Sequence, residues 1–300
     1  MMAEMSERYP HLQKQVEPLL DLPERERIRA GREDFWVPYP KAKEILQELD
    51  ELLHHPPSVR MPNMLLCAPS NSGKSAILQR FMALNPPDPN PEGDAAIHRV
   101  VMMEAPPKPD VLDFYGRILD AVHAPYREKA SQRERCATVK TILPALGTRV
   151  LVVEEITHML AGGGAHQREF RNALKSLGNE LQIAIVASGV EAAMTAFASD
   201  PQLTNRFPVV TLPRWNLNQA FGSLLMSMES LLPLRERSEL YGPELAVRIH
   251  GMTEGLLGEV RNLLNKALSL AIRAGEEKIS LKTLEAVEWQ RPADRGRKLE

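Results

Sequence analysis

Between residues 63 and 212 short apolar runs alternate with amphipathic stretches. The runs at 63–67, 97–104, 150–153, 182–187 and 209–212 are too short for helices and carry few polar positions, the pattern of strands buried on both faces. Between them apolar residues recur at helical spacing: from Ala76 to Leu84, then near 111–122, 132–146, 167–180 and 190–198. This alternation predicts an α/β fold, a parallel sheet with helices on both faces. Beyond Arg214 the strand signals stop, and helical periods near 217–230, 243–250, 256–274 and 280–288 predict a small all-helical domain. The first sixty residues are charged and broken by prolines, with helical patterns at 23–31 and 40–54. The expected organisation is therefore an N-terminal helical extension (1–60), an α/β core (61–214), a helical lid (215–290) and a flexible tail (291–300).

Composition narrows the class without deciding it. With 300 residues and 43% hydrophobic content, the chain can bury one large core or two smaller ones. A net charge of −2 supplies no global attraction to nucleic acid, so any such binding must come from a local basic stripe. The two cysteines, Cys67 and Cys136, form no disulfide framework or metal spacing, which suits a reducing, cytoplasmic compartment. No leader pattern or spanning apolar stretch is read, so a membrane location is not expected.

The chemistry is concentrated after two of the predicted strands. Ala68-Pro-Ser-Asn-Ser-Gly-Lys-Ser75 follows the first strand and opens the first core helix, the setting of a phosphate-binding loop. Backbone N–H groups of residues Ala68, Pro69 onward through Ser70, Asn71, Ser72 and Gly73 (the proline excepted) would cradle phosphate oxygens of ATP. Lys74 would reach the β/γ-phosphates, and the Ser75 hydroxyl would ligate Mg²⁺. The motif wants Gly where Ala68 stands, so Ala is tolerable only at negative φ. The second signal is Val150-Leu-Val-Val-Glu-Glu-Ile156, an apolar strand ending in paired carboxylates. At the carboxyl edge of a parallel sheet, Glu154 would hold Mg²⁺ through water and Glu155 would polarise the attacking water.

Together with these elements, Tyr39-Pro40, Arg60-Met-Pro-Asn-Met-Leu-Leu66, Arg168-Glu-Phe170, Leu177-Gly-Asn-Glu-Leu181, Gln202-Leu-Thr-Asn-Arg-Phe207, Leu231-Leu-Pro-Leu-Arg235 and Thr253-Glu-Gly-Leu-Leu-Gly-Glu259 occur in order. In these segments the chain resembles AAA+ ATPases of the TniB type, transposition regulators related to TnsC, over most of its length. The resemblance implies a P-loop AAA+ core with a helical lid. Against the family pattern, Ala68 replaces Gly and Glu154 replaces Asp, both in the ATP site.

By that resemblance Arg206 is placed as an arginine finger reaching the γ-phosphate of a neighbouring subunit; as a bare residue it could equally cap a helix end. Ser188 is either the sensor that orients the hydrolytic water or a small polar residue closing a strand. Arg261 is placed like a second sensor, or else pairs with Glu259 or a helix neighbour. Tyr39 either stacks near the adenine or anchors the N-terminal segment. For DNA, Lys108 lies in the loop that faces the pore of ring-forming relatives, and Arg127 and Lys129 lead a stretch with four basic and two acidic side chains. Such contacts would be independent of DNA sequence, though a solvated mixed-charge face has the same pattern.

The function implied is an ATP-dependent regulator of transposition. It would oligomerise on double-stranded DNA as a ring or filament and present target DNA to a transposase, with a TniQ-like targeting protein as a further partner. Hydrolysis would disassemble it. Two other readings share the ATP site: a non-hydrolysing ATP-gated scaffold, and a loader of replication proteins.

Overall fold

Each apolar run becomes a strand of one five-stranded parallel sheet, ordered β2-β3-β4-β1-β5 in the computed structural model, which describes residues 5–90, 92, 93, 95–160 and 164–295. Two compact units are present: Pro40–Pro213, and a second made of Met1–Tyr39 with Arg214–Glu300. The N-terminal sixty residues are thus divided, the first part joining the C-terminal helices and the rest joining the sheet.

In the unit Pro40–Pro213 the order is α2 (Pro40–His54), after α1 (Glu24–Gly31) of the other unit, then β1 (Met64–Cys67), α3 (Lys74–Leu84), β2 (Val100–Glu104), α4 (Val111–Ala121) and α5 (Gln132–Ala145). There follow β3 (Val150–Glu154), α6 (Thr157–Leu160), α7 (Ala165–Leu181), β4 (Ala184–Gly189), α8 (Glu191–Ala198), α9 (Pro201–Thr204) and β5 (Val209–Thr211). The second strand begins three residues later than the apolar pattern suggested, because Ile97 is taken up by a bridge to Asp88. The fourth starts and ends later, so Ser188 lies inside β4 rather than beyond it.

Strand pleating sends alternate side chains to opposite faces. Leu65, Val101, Met103, Leu151, Val153 and Ile185 point into a core with Phe114 and Ile118 of α4, Leu143 of α5, Phe170 and Leu177 of α7 and Phe197 of α8. Phe114 meets Phe170 edge-on at 5.1 Å, and Phe197 meets Phe207 at 5.0 Å. The chain leaves β1 toward β2 on one side and leaves β4 toward β5 on the other. Between adjacent strands whose connections part in this way, a crevice opens at the carboxyl edge of a parallel sheet.

The other unit holds α1 (Glu24–Gly31), α10 (Gln219–Glu229), α11 (Pro243–Thr253), α12 (Leu257–Ala274) and α13 (Leu281–Glu285), with 3-10 turns at Lys14–Asp21 and Pro292–Asp294. Buried charges there are paired or capped. Arg27 meets Glu277 at 2.6 Å, and the Glu229 carboxylate accepts backbone N–H groups of Ser238, Glu239 and Leu240 at 2.7–2.9 Å. Residues 291–295, expected to be flexible, are anchored: Arg295 grips the buried Glu259 carboxylate through both terminal nitrogens, at 2.6 and 2.5 Å. Residues 296–300 of that tail lie outside the described residues, as do Gly162 and Gly163 of the triple-glycine stretch 162–164, which the sequence marks as a loop after the paired carboxylates. Among the described residues no helix is long and apolar enough to cross a membrane.

Candidate nucleotide-binding and hydrolysis site

At the crevice between β1 and β4 the loop 68–75 turns from strand to helix. Asn71 and Gly73 adopt positive φ, 62° and 95°, and let the loop close over the amino end of α3. Glycine takes this conformation at no steric cost. Ala68 is not among the residues at positive φ, so the position tolerates a Cβ, and the replaced glycine costs nothing in backbone strain. Its N–H donates to the Gly189 carbonyl at 3.2 Å, binding the loop to the end of β4. Restoring the motif by Ala68→Gly is therefore expected to lower stability by about 0.4–1 kcal/mol, through added freedom of the unfolded chain, with nucleotide affinity unchanged. Thermal unfolding and nucleotide titration of the variant check both parts.

The helix α3 offers what an anion needs. Its first-turn N–H groups have no partner within the helix, and its dipole is positive at that end. Lys74 is buried, and its ammonium donates to the Ala68 and Pro69 carbonyls at 3.1 and 3.3 Å. Burial pulls the Lys74 pKa down, opposed by the negative charge of Glu155 and Glu154. The paired acids thus stand close enough to Lys74 to act on its charge, although they lie some eighty residues further along the chain. Burial likewise raises the Cys67 thiol, so it stays neutral beneath the loop.

Glu154 closes β3 beside Glu104 of β2, its register partner. Glu155 follows at φ 51°, a conformation that non-glycine residues adopt sparingly and that concentrates where function holds the backbone. Two bonds fix this turn: Ile156 N–H donates to the Ser188 carbonyl at 2.9 Å, and Val190 N–H to the Thr157 hydroxyl at 3.2 Å. A Cβ on Gly189 would stand 2.7 Å from both Ala193 Cβ and Thr157 Oγ1, so this close approach requires glycine. Among the described residues the hydroxyls of Ser72 and Ser188 are buried with no hydrogen-bond partner. Buried polar groups are nearly always satisfied, so two orphans flanking one crevice suit a polar ligand there.

Mg²⁺ fits this donor set. Among the described residues no cluster of three or more His, Cys, Asp or Glu could cage a metal. Magnesium instead takes one or two protein oxygens with phosphate and water. The exposed Ser75 in the first turn of α3 and Glu154 at the strand end are such oxygens.

The remaining sequence candidates lie elsewhere. Arg206 precedes β5 at the amino edge of the sheet, the end opposite the phosphate loop. Its Nη1 donates to Asn179 Oδ1 at 2.7 Å, and its carbonyl accepts from Asn63 Nδ2 at 3.2 Å. Tyr39 and Arg261 belong to the helical unit. Tyr39 is buried edge-on to Trp215 at 5.0 Å, and burial pushes its phenol up to about 12. Arg261 pairs with Asp34, donates to the Arg32 and Glu33 carbonyls at 3.1 Å, and stands over the Phe35 ring. Its partner is thus neither Glu259 nor a helix neighbour: Glu259 is gripped by Arg295. Lys108, Arg127 and Lys129 are exposed. Arg135, from the same basic stretch, stacks on Tyr126 and donates to the Leu112 and Glu128 carbonyls at 3.3 and 2.9 Å. That bridge ties the turn carrying Arg127 and Lys129 to the first turn of α4, just after Lys108. Sequence reasoning assigned no role to Asn63, Glu104, Thr157 or Asn179. Asn63 and Asn179 stood in quoted motifs, but their contacts span 143 and 27 residues and follow from no local pattern.

A family model described as "Bacterial TniB protein" matches residues 27–217. A comparison with curated proteins finds no match. Among solved structures, the Aeropyrum pernix ORC2 protein (ADPNP-ADP complexes) is similar at a TM-score of 0.61 and 13% identity, over 85% of this chain and 69% of that one. Cdc6p from Pyrobaculum aerophilum is similar at 0.60 and 19%, over 83% and 67%. The Walker-type ATPase PABY2304 of Pyrococcus abyssi is similar at 0.54 and 15%, over 86% and 73%. At these identities the likeness concerns the fold alone: a parallel α/β core followed by a helical region.

Proposed function

Because the chain belongs to the TniB family, we propose that it is an ATP-dependent regulator of DNA transposition, assembling on double-stranded DNA and presenting it to a transposase. The observation that carries this reading is the convergence of the phosphate loop, the Glu154–Glu155 turn and the orphan Ser188 hydroxyl at the carboxyl ends of the adjacent strands β1, β4 and β3. In this reading Lys74 leaves the Ala68 and Pro69 carbonyls for the β/γ-phosphates of ATP, while the N–H groups opening α3 take the remaining oxygens. Ser75 and Glu154 hold Mg²⁺, which when bound neutralises phosphate charge. Glu155 accepts a hydrogen bond from the attacking water and aligns it with the γ-phosphorus, with Ser188 fixing the water's second contact. Water oxygen bonds to phosphorus as the bond to the leaving ADP oxygen breaks, and the water's proton leaves by way of the Glu155 carboxylate to solvent, giving ADP and phosphate.

Arg206 acts on the neighbouring subunit. About 16 Å of extended strand separates Asn63, which holds Arg206, from Ala68, so its own site is out of reach. A fixed guanidinium at the γ-phosphate of the next subunit makes assembly and turnover depend on one another. Lys108, Arg127 and Lys129 meet the DNA phosphates, giving affinity that is independent of sequence and falls with salt. Of the two departures from the family pattern, Ala68 imposes no strain. Glu154, one methylene longer than Asp, is the remaining motive for a non-hydrolysing scaffold. The test is retention on duplex DNA of unrelated sequences: it is expected with ATP and lost without it. Equal retention in both conditions would contradict the reading.

A further inference from the structure

Three of the segments quoted from the sequence meet at a point remote from the phosphate loop. Asn179, near the end of α7, accepts a hydrogen bond from Arg206 Nη1 at 2.7 Å. Asn63, just before β1, donates to the Arg206 carbonyl at 3.2 Å and accepts from Ile185 N–H at 2.8 Å, so the backbone of residue 206 is tied to β4. Phe207, next in the chain, is buried against Phe197. Arg206 is thus held at three levels: its carbonyl by Asn63, its neighbour by the aromatic core, and its guanidinium by Asn179.

Only the third is specific to the charge. A long arginine side chain has many rotamers, and ordering one costs free energy that an approaching subunit must otherwise supply. Among the described residues no carboxylate pairs with the Arg206 guanidinium. A neutral amide acceptor directs it without neutralising it, and leaves its other N–H groups for a phosphate. The partner helix is itself fixed to the segment before Arg206. Arg171 and Lys175 of α7 each stand 3.6 Å from Asp200, and Lys175 donates to Gln202 at 2.8 Å. The same helix begins soon after the Glu154–Glu155 turn, so it runs from the carboxylates of one site to the arginine that serves the next.

We propose that Asn179 is the positioning residue of Arg206, presetting its guanidinium for the ATP site of a second copy of this chain. This rests on the reading of Arg206 given above. The test uses mixed assemblies. Arg206→Ala subunits keep a complete ATP site but lack the arginine; Glu155→Gln subunits keep the arginine but lack the carboxylate. Each alone should be inactive toward ATP, and mixing should restore turnover at interfaces where a Glu155→Gln subunit serves an Arg206→Ala site.

Asn179→Leu is then introduced on one side at a time. On the Glu155→Gln side, which supplies the arginine, restored kcat should fall by about tenfold or more with KM unchanged. On the Arg206→Ala side it should have little effect. Asn179→Gln on the supplying side, which keeps a neutral amide oxygen one methylene further out, should recover part of the loss, whereas Asn179→Asp, whose carboxylate would neutralise the guanidinium, should not. If the leucine variant does not fold, Asn179→Ser, too short to reach the guanidinium, takes its place. Equal loss on both sides, or no loss on the supplying side, would overturn the positioning role while leaving Arg206 itself intact. Failure of the parent mixture to regain turnover would instead remove the Arg206 reading, and the positioning role with it.

Discussion

Lys74→Ala is expected to abolish ATP-dependent retention on duplex DNA and to weaken nucleotide binding by about a hundredfold. A hydrogen bond to a charged group contributes about 1.5–3 kcal/mol, and a buried ammonium facing triphosphate stands at or above the upper end. Folding should not suffer in step. In the free protein the Lys74 ammonium is buried, and burial lowers its pKa, so the charge costs stability, and among the described residues its direct hydrogen-bond partners are two loop carbonyls. The melting temperature of the variant should therefore stay close to the parent's or rise slightly. That separation makes the result informative: a variant that folds, fails to bind nucleotide and fails to assemble identifies the loop as the switch. Unchanged assembly would contradict it. Isothermal titration with ATP and a DNA co-sedimentation assay read the two halves.

The second large effect is expected at Arg206. Substitution by Ala should lower kcat for ATP by about a thousandfold, the lower end for an arginine supplied in trans. Nucleotide affinity of the isolated subunit should hardly change, because Arg206 stands at the amino edge of the sheet and the phosphate loop at the other. Removing the guanidinium leaves the Asn179 carbonyl oxygen without its donor, at a stability cost of about 1–3 kcal/mol if water cannot replace it. Arg206→Lys keeps charge but not the planar fork and should recover little. Turnover measured under conditions where assembly is complete distinguishes loss of chemistry from loss of contact. Wild-type kcat in the Ala variant would return Arg206 to the plainer role of closing a helix end.

The sheet and the candidate site were legible because parallel strands buried on both faces write themselves as uninterrupted apolar runs, and because a phosphate-loop motif places its glycine turn between strand and helix. Glu154 and Glu155 were readable for the same reason: a carboxylate pair directly after a buried strand must emerge at the sheet's carboxyl edge. Boundaries were less legible. Ile97 belongs to the apolar run but bridges to Asp88, and Ser188 stays within β4 because the strand continues to Gly189.

Polar contacts between distant segments left no local trace. The grip of Arg295 on Glu259 anchors residues 291–295, whose composition suggested flexibility, and the pairing of Arg261 with Asp34 joins residues far apart in the chain. Tyr39 is ambiguous in sequence because aromatic stacking on a base and on a tryptophan ask for the same side chain; Trp215 is its neighbour. Ala68 was the opposite case. The motif marked it as a departure, and the backbone conformation removed the difficulty.

The most direct measurement is steady-state ATP hydrolysis by the purified protein with and without double-stranded DNA, with Lys74→Ala subtracted as background. Turnover that rises when DNA is added and disappears in Glu155→Gln is expected, since DNA would bring each Arg206 to its neighbour's site. No turnover above background, despite nucleotide binding and assembly on DNA, would contradict hydrolysis as the disassembly step.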